Sequence, residues 1–320
     1  MEHLHVCLID AAKIYSGKLA KKSGETDYLM SNHKEGEKVL CTYEPHRYPE
    51  KLQSLLGALT SSDFIVWSVD KIDADFGEVA LALWLANKPG ILVLSPSISE
   101  DQLAPILSKS PMWKWEKMSS PDPNELRLKL FSIQLPPSQT IKRAVVDSCF
   151  PVGGVGTVAL TKVEGGTFNV HDELEVVPGM VKTSIRSIQE QDKDEKSTSP
   201  LSRAGFALKN IQPEQVKRGS YLAPPGTVSQ FEKGKAKIFI SPLIKDLIEQ
   251  SNELFFAFGL QFISGRLKIE TPISSKDGEK EVEFYLTSTG AACVGDSFFI
   301  IRPNKRPKII GAGKFTELQK

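Results

Sequence analysis

The sequence predicts one α/β domain with a mostly parallel sheet, followed by two all-β domains. Three observations predict it. Strand-like and helix-like stretches alternate through the first 135 residues, a proline pair interrupts the chain at 135–139 (LPPSQ), and beyond it the apolar runs are short and bounded by glycine or proline. A chain of 320 residues also exceeds what one small core usually holds, so two or three domains are expected.

In the first region, residues 5–9, 39–43, 64–69 (FIVWSV) and 91–94 (ILVL) are compact, β-branched-rich and almost continuously apolar. Strands buried on both faces have this pattern. Between them, 50–59 and 76–87 repeat apolar residues at helical spacing, and further helices are expected at 100–107 and at 124–131 after Pro123. Alternation of this kind predicts a sheet covered on both sides. The polar, Lys- and Gly-rich stretch 16–38 has little periodicity and reads as a mobile loop or shortened crossover. Residues 113–117 (WKWEK) alternate like an edge strand.

Adjacent prolines stiffen the chain and stop a helix, so 135–139 is read as a linker. After it, strands are expected at 142–147, 156–163, 172–177, 181–188 and 206–208, with the hydrophilic run 189–199 among the separators. Pro224-Pro225-Gly226 closes this unit. A third follows with strands at 235–241, 254–263, 266–271, 281–286, 297–302 and 308–314. Many short strands with Gly and Pro punctuation mean a barrel or a sandwich. The domains are therefore 1–135, 140–226 and 232–320.

Composition narrows the function classes. Net charge is +1, so no global field draws the chain to nucleic acid or anionic lipid, and an RNA site would need a local basic face. No apolar run reaches the roughly 18 residues of a membrane span. The first ten residues read as a strand and not as a signal peptide. Cys7, Cys41, Cys149 and Cys293 form no CxxC pair, so neither disulfides nor a metal framework is expected, and the reducing cytoplasm is the default compartment.

The second unit carries a sustained pattern. Val146-Asp147-Ser148-Cys149-Phe150 is followed by Gly154-Val155-Gly156-Thr157-Val158, then by Val163-Glu164-Gly165-Gly166-Thr167 through Asp172-Glu173-Leu174. Arg203-Ala204-Gly205 and the run from Val216-Lys217-Arg218-Gly219 to Ala223 complete it. This resembles the second-domain barrel of elongation factor Tu and SelB over about 80 residues in the right order. Gly311-Ala312-Gly313 resembles the end of the matching third barrel. The resemblance is to an archaeal SelB-like branch, and implies a P-loop GTPase-like first domain followed by two β-barrel domains. Each glycine taken singly also suits an ordinary turn or bulge.

A P-loop reads GxxxxGK[ST], because backbone N–H groups cradle phosphates, the lysine reaches them and the hydroxyl holds magnesium. The corresponding residues here run from Ala12 to Gly17-Lys18-Leu19. Gly17 and Lys18 remain as the residual phosphate loop. Ala12 replaces the first glycine, and Leu19 replaces the magnesium hydroxyl. Where the family has Asp-x-x-Gly-His, this chain has Thr42-Tyr43-Glu44-Pro45-His46. Proline has no N–H to offer a γ-phosphate. His46 resembles the hydrolytic histidine, with an isolated surface histidine as the alternative. Glu44 is shifted two places from the lost acid. The guanine-reading Asn-Lys-x-Asp is replaced by Ser95-Pro96-Ser97-Ile98, and Thr26 is a relic of the switch threonine or a plain loop residue. These departures imply GTP and magnesium binding that is weak or absent, no resident cofactor, and no catalytic residue beyond His46.

The resemblance implies an aminoacyl-tRNA as partner, with the ribosome as a further one and no membrane. Carried over by position, Asp147 would accept from the α-amino group of the esterified amino acid, Phe150 would stack or close the pocket, and Arg203 would meet a phosphate or side chain. A turn-capping Asp, a core Phe and a solvated Arg are the structural alternatives. In the third domain Arg302, Lys305, Arg306 and Lys308 place four cations within seven residues, suited to phosphates or to an ordinary basic hairpin loop. Three functions follow: an aminoacyl-tRNA carrier without normal GTP switching, a divergent GTPase acting through Gly17 and Lys18, or a protein-interaction scaffold.

Overall fold

A computed structural model describes residues 2–135, 141–198 and 201–320. The chain divides into two compact units, Met1–Pro136 and Pro137–Lys320. Of the expected linker only Leu135 is described; residues 136–139 lie outside the described residues.

The first unit runs β1 (Glu2–Asp10), β2 (Lys21–Glu25), β3 (Leu29–Glu35), β4 (Lys38–Glu44), α1 (Leu52–Ser61), β5 (Phe64–Val69), α2 (Ala74–Ala86), β6 (Gly90–Leu94), α3 (Glu100–Leu107), β7 (Glu116–Ser119) and α4 (Pro123–Ser132). Its sheet has the order β2-β3-β4-β1-β5-β6-β7. The five strands from β4 to β7 are parallel, and β2 and β3 are antiparallel additions. Side chains alternate across a strand, so Val6, Leu8, Leu40, Val66, Ile91 and Val93 share one face, where they pack with Leu126 and Leu130 of α4. Helix starts follow capping chemistry: Asp73 accepts from the Phe76 N–H, Ser99 and Gln102 form a capping box, and Asp122 caps α4 just before Pro123.

Two expectations for this unit are corrected. Residues 16–38 are not a mobile loop or crossover: they hold the β2–β3 hairpin, with β3 paired to β4 along its whole length. Backbone pairing stabilises this polar, half-exposed edge, so no apolar period announces it. Residues 113–117 are not one strand. Residues 111–114 form a 3-10 turn begun by Pro111, Trp115 is buried, and only Glu116–Ser119 extends as β7 at the sheet edge. A side chain at Gly90 would strike the Trp115 ring at 2.8 Å.

The second unit holds two barrels. The first comprises β8 (Arg143–Val152), β9 (Gly156–Gly165), β10 (Glu173–Val177), β11 (Val181–Glu190), β12 (Lys193–Glu195), β13 (Arg203–Lys209) and β14 (Tyr221–Ala223). Their order is β10-β14-β8-β9-β13-β11-β12, and the β10–β11 pairing closes it. The next comprises β15 (Ser229–Ile240), β16 (Leu254–Phe258), β17 (Gln261–Lys268), β18 (Glu279–Ala292), β19 (Ser297–Ile301) and β20 (Ile309–Gln319), closed in the order β15-β18-β17-β16-β19-β20. Closure removes exposed edges, which settles barrel over sandwich. Phe231, Phe256, Phe258, Phe284, Phe298 and Phe315 fill the last barrel.

Two further boundaries differ from expectation. Residues 254–263 are not one strand but two, reversing at Gly259 (φ +52°) and Leu260. The hydrophilic run 189–199 is not a plain separator: Gln191 and Asp192 both adopt positive φ, and a hairpin turn without glycine joins β11 to β12. Ser199 lies outside the described residues. Between the barrels, Val145, Val177, Tyr221, Ala223, Val228, Ala291 and Cys293 form a shared buried cluster. Arg143 spans it, 2.8 Å from Glu164 and 2.6 Å from Asp296, with its guanidinium 5.1 Å from the Tyr221 ring centre.

Candidate functional sites

From β1 the chain runs to the β2–β4 side of the sheet, and from β5 it runs the other way to β6. Neighbouring strands whose connections diverge leave a crevice at their carboxyl ends, where α/β sheets bind ligands. A cavity of about 540 Å³ lies there, walled by the ends of β1, β4 and β5 and the start of α2. Trp67 and Phe76 stack within its wall, ring centres 4.8 Å apart.

The loop after β1 determines what this crevice can hold. A P-loop is a strand, a turn and then a helix whose N-terminal N–H groups face the phosphates. Here no helix follows: residues 11–20 form turns and lead into β2. The backbone donors from Tyr15 to Leu19 are already taken. Asp10 Oδ2 accepts from the backbone N–H of Tyr15 (2.7 Å) and of Ser16 (3.0 Å). Glu44 accepts from the Ser16 hydroxyl at 2.6 Å and from the Gly17 N–H. The Lys18 and Leu19 N–H groups both turn back to the Tyr15 carbonyl. Two carboxylates thus sit where a P-loop offers donors to an anion. Burial pushes the Glu44 carboxyl up from its ordinary value, the nearby Asp10 charge adds to this, and the bonds from Ser16 and Gly17 oppose it.

The electrostatics of the walls point the same way. The lining carries six carboxylates, Asp10, Glu25, Glu44, Asp70, Asp73 and Asp75, against three ammonium groups, Lys13, Lys22 and Lys71. Gly17 and Lys18 are exposed and are not part of the lining. Leu19, which replaces the magnesium hydroxyl, is buried in the core beside α4, as is Tyr15, whose hydroxyl donates to the Pro121 carbonyl at 2.8 Å. His46 lines the crevice with Nε2 3.2 Å from Glu25. Pro45 is buried beside it. Ser95 and Ser97 share a hydroxyl contact of 2.9 Å, and the Thr26 N–H bonds the Tyr28 carbonyl. Sequence reasoning missed Asp10 and the lysines of the lining, since an acidic strand end carries no motif.

In the first barrel a bulge between Val146 and Ser148 makes Asp147 the extra residue of β8. Its carboxylate is buried, 3.3 Å from Arg203 and 3.6 Å from Arg218. Structure therefore brings Asp147 and Arg203 together, joined by Arg218 from the run that leads into β14. Phe150, further along β8, is 39% exposed and stands outside this ion cluster. In the second barrel Asp246 binds both Arg302 and Lys305, the latter at 2.8 Å, so the basic loop is partly neutralised from within the protein. Arg306 contributes its carbonyl to Arg302. Gly311 and Gly313 are close-approach glycines: an added Cβ would lie 2.4 Å from the Phe239 carbonyl oxygen and 2.5 Å from the Phe298 ring respectively.

Mixed sheet, closed barrel and second closed barrel in one chain define a three-part architecture of one α/β unit followed by two barrels. Comparison with known proteins gives the particular kind. Residues 156–223 match the family Elongation factor Tu domain 2. The whole fold is that of SelB: the chain superposes in full on 80% of translation elongation factor SelB from Methanococcus maripaludis, crystallised with the GTP analogue GppNHp, with TM-score 0.83 and 21% identity. A bacterial selenocysteine-specific elongation factor matches 98% of the chain with TM-score 0.80 and 17% identity, the chain spanning 58% of its length. An uncharacterized protein of Methanocaldococcus jannaschii is 29% identical over 316 residues, 98% of this chain and 100% of its own. The chain is thus SelB-like in fold, with the elongation factor Tu domain 2 match lying in its first barrel.

Proposed function

We propose that this is a SelB/Tu-like elongation factor that binds an aminoacyl-tRNA and has weak or absent GTP binding and hydrolysis. The first-barrel match and the SelB architecture support the tRNA half. One observation carries the nucleotide half: Asp10 and Glu44 occupy the donors that a phosphate would need. A triphosphate entering this crevice meets carboxylates in a confined space, where like charges repel more strongly than in water. Lys18 and Leu19 do not compensate, because their N–H groups close a turn on the Tyr15 carbonyl.

Within the barrels, the Asp147–Arg203–Arg218 cluster braces β8 against β13 and the chain before β14, and the exposed Phe150 would stack on a terminal base or aminoacyl group. The ribosome is the further partner this reading implies.

Retention of aminoacylated against deacylated tRNA on the immobilised protein is the test. Preferential retention of the aminoacylated form is expected, and equal retention of both or of neither would refute the carrier reading. Equilibrium binding of labelled GTP, GDP and ATP with magnesium tests the second half separately. Tight, guanine-selective binding that is lost on Lys18→Ala would overturn it and favour a divergent GTPase.

A further inference from the structure

At the other end of β1 from the crevice, the sheet brings together three ligating side chains that no nucleotide or tRNA role uses. His3 and His5 are two residues apart on one strand and so share a face. Cys41 of β4 is the register partner of His5 and faces the same way. All three are buried, and one ligand atom from each lies within 4.8 Å of the others. His3 is 8% exposed, yet neither of its ring nitrogens has a hydrogen-bond partner. Asn32, the register partner of Cys41 on β3, has a buried and equally unpartnered Oδ1. Buried imidazoles normally find a partner, and two orphaned nitrogens on one ring call for an explanation.

We propose that His3, His5 and Cys41 form a binding site for a thiolate-seeking cation, Zn²⁺. Two imidazoles and one thiolate suit zinc, and three protein ligands leave a fourth position for water. Tetrahedral bonds of zinc length place ligand atoms about 3.3–3.6 Å apart, so the cluster needs to contract only by side-chain adjustment. The Tyr43 hydroxyl, 2.8 Å from His5 Nδ1, is the kind of outer partner that fixes a ligating ring. Parallel stacking of the His3 and His5 rings, centres 6.2 Å apart, keeps both on the cysteine side of the sheet.

The experiment uses the full chain, stripped with chelator and titrated with Zn²⁺ against a chromophoric competitor, and separately with Co²⁺ as a spectroscopic stand-in. One equivalent of Zn²⁺ is expected to bind and to raise the thermal midpoint of the α/β unit. Co²⁺ is expected to produce a near-ultraviolet thiolate charge-transfer band. Cys41→Ser should abolish that band and His3→Gln should weaken Zn²⁺ binding at least about tenfold, while Cys149→Ser should change neither. Circular dichroism checks that each variant folds, and the wild-type stoichiometry and cobalt spectrum stand independently of the variants. Absence of stoichiometric binding, or a thiolate band that survives Cys41→Ser, overturns the proposal.

Discussion

Replacing Arg143 with methionine removes a cation that spans the two barrels while preserving much of its volume. Its guanidinium lies 2.8 Å from Glu164 and 2.6 Å from Asp296, and each pair is worth about 6 kcal/mol of gross attraction at an effective dielectric near 20. Desolvation of three mostly buried groups offsets much of this. Breaking a buried pair nevertheless leaves uncompensated charge, and the net loss is typically about 3–5 kcal/mol. Asp296 keeps one donor, the Cys293 N–H at 2.8 Å, which argues for the lower half of that range. For a unit of this size each kcal/mol moves the midpoint by about 2–4 °C, so a fall of roughly 6–16 °C is expected in the barrel transition. Differential scanning calorimetry of the full chain reads it, with the α/β unit expected to melt separately. The triple variant Arg143→Met, Glu164→Gln, Asp296→Asn should recover part of the loss, because it removes the stranded charges as well. A single variant within about 1 kcal/mol of wild type, or a triple variant as unstable as the sum of its parts, would refute the reasoning.

Three other substitutions test other parts of the structure. Glu44 has a folded-state pKa above its unfolded value, so its favourable contribution is present below about pH 4.3 and is lost as pH rises through the folded pKa. Glu44→Gln should therefore raise the thermal midpoint at pH 7 and lose that advantage near pH 4; a gain confined to acid would contradict the sign. Gly313→Ala places a methyl 2.5 Å from the Phe298 ring and 2.8 Å from the Lys237 carbonyl oxygen, and should cost about 1–3 kcal/mol in urea denaturation. Phe315→Ala opens the centre of the aromatic cluster formed with Phe231, Phe258, Phe284 and Phe298, and a loss of about 3–5 kcal/mol is expected in the same assay.

Most of the architecture was legible in the sequence because buried elements advertise themselves. FIVWSV at 64–69 and the capped helix at 100–107 match the structure residue for residue, since continuous burial and cap chemistry are both local signals. What escaped notice depends on backbone pairing. The β2–β3 hairpin is polar because one side of it meets solvent, and the β16–β17 reversal hides inside an apolar run because both strands face the same core.

The same division runs through the sites. By itself the sequence determined the order of domains, the SelB-like body, and which residues depart from the nucleotide motifs: Ala12, Leu19, Pro45 and Ser95 are visible as letters. Only the tertiary structure decided where that loop's N–H groups go, because hydrogen-bond partners 28 residues apart, such as Ser16 and Glu44, meet only when β1 and β4 lie side by side. Register likewise decided that His3 and His5 share a face with Cys41, and that a bulge turns Asp147 toward Arg203. Residue identity states what chemistry is available, but the long-range pairing of strands determines which groups are already satisfied and which still lack a partner.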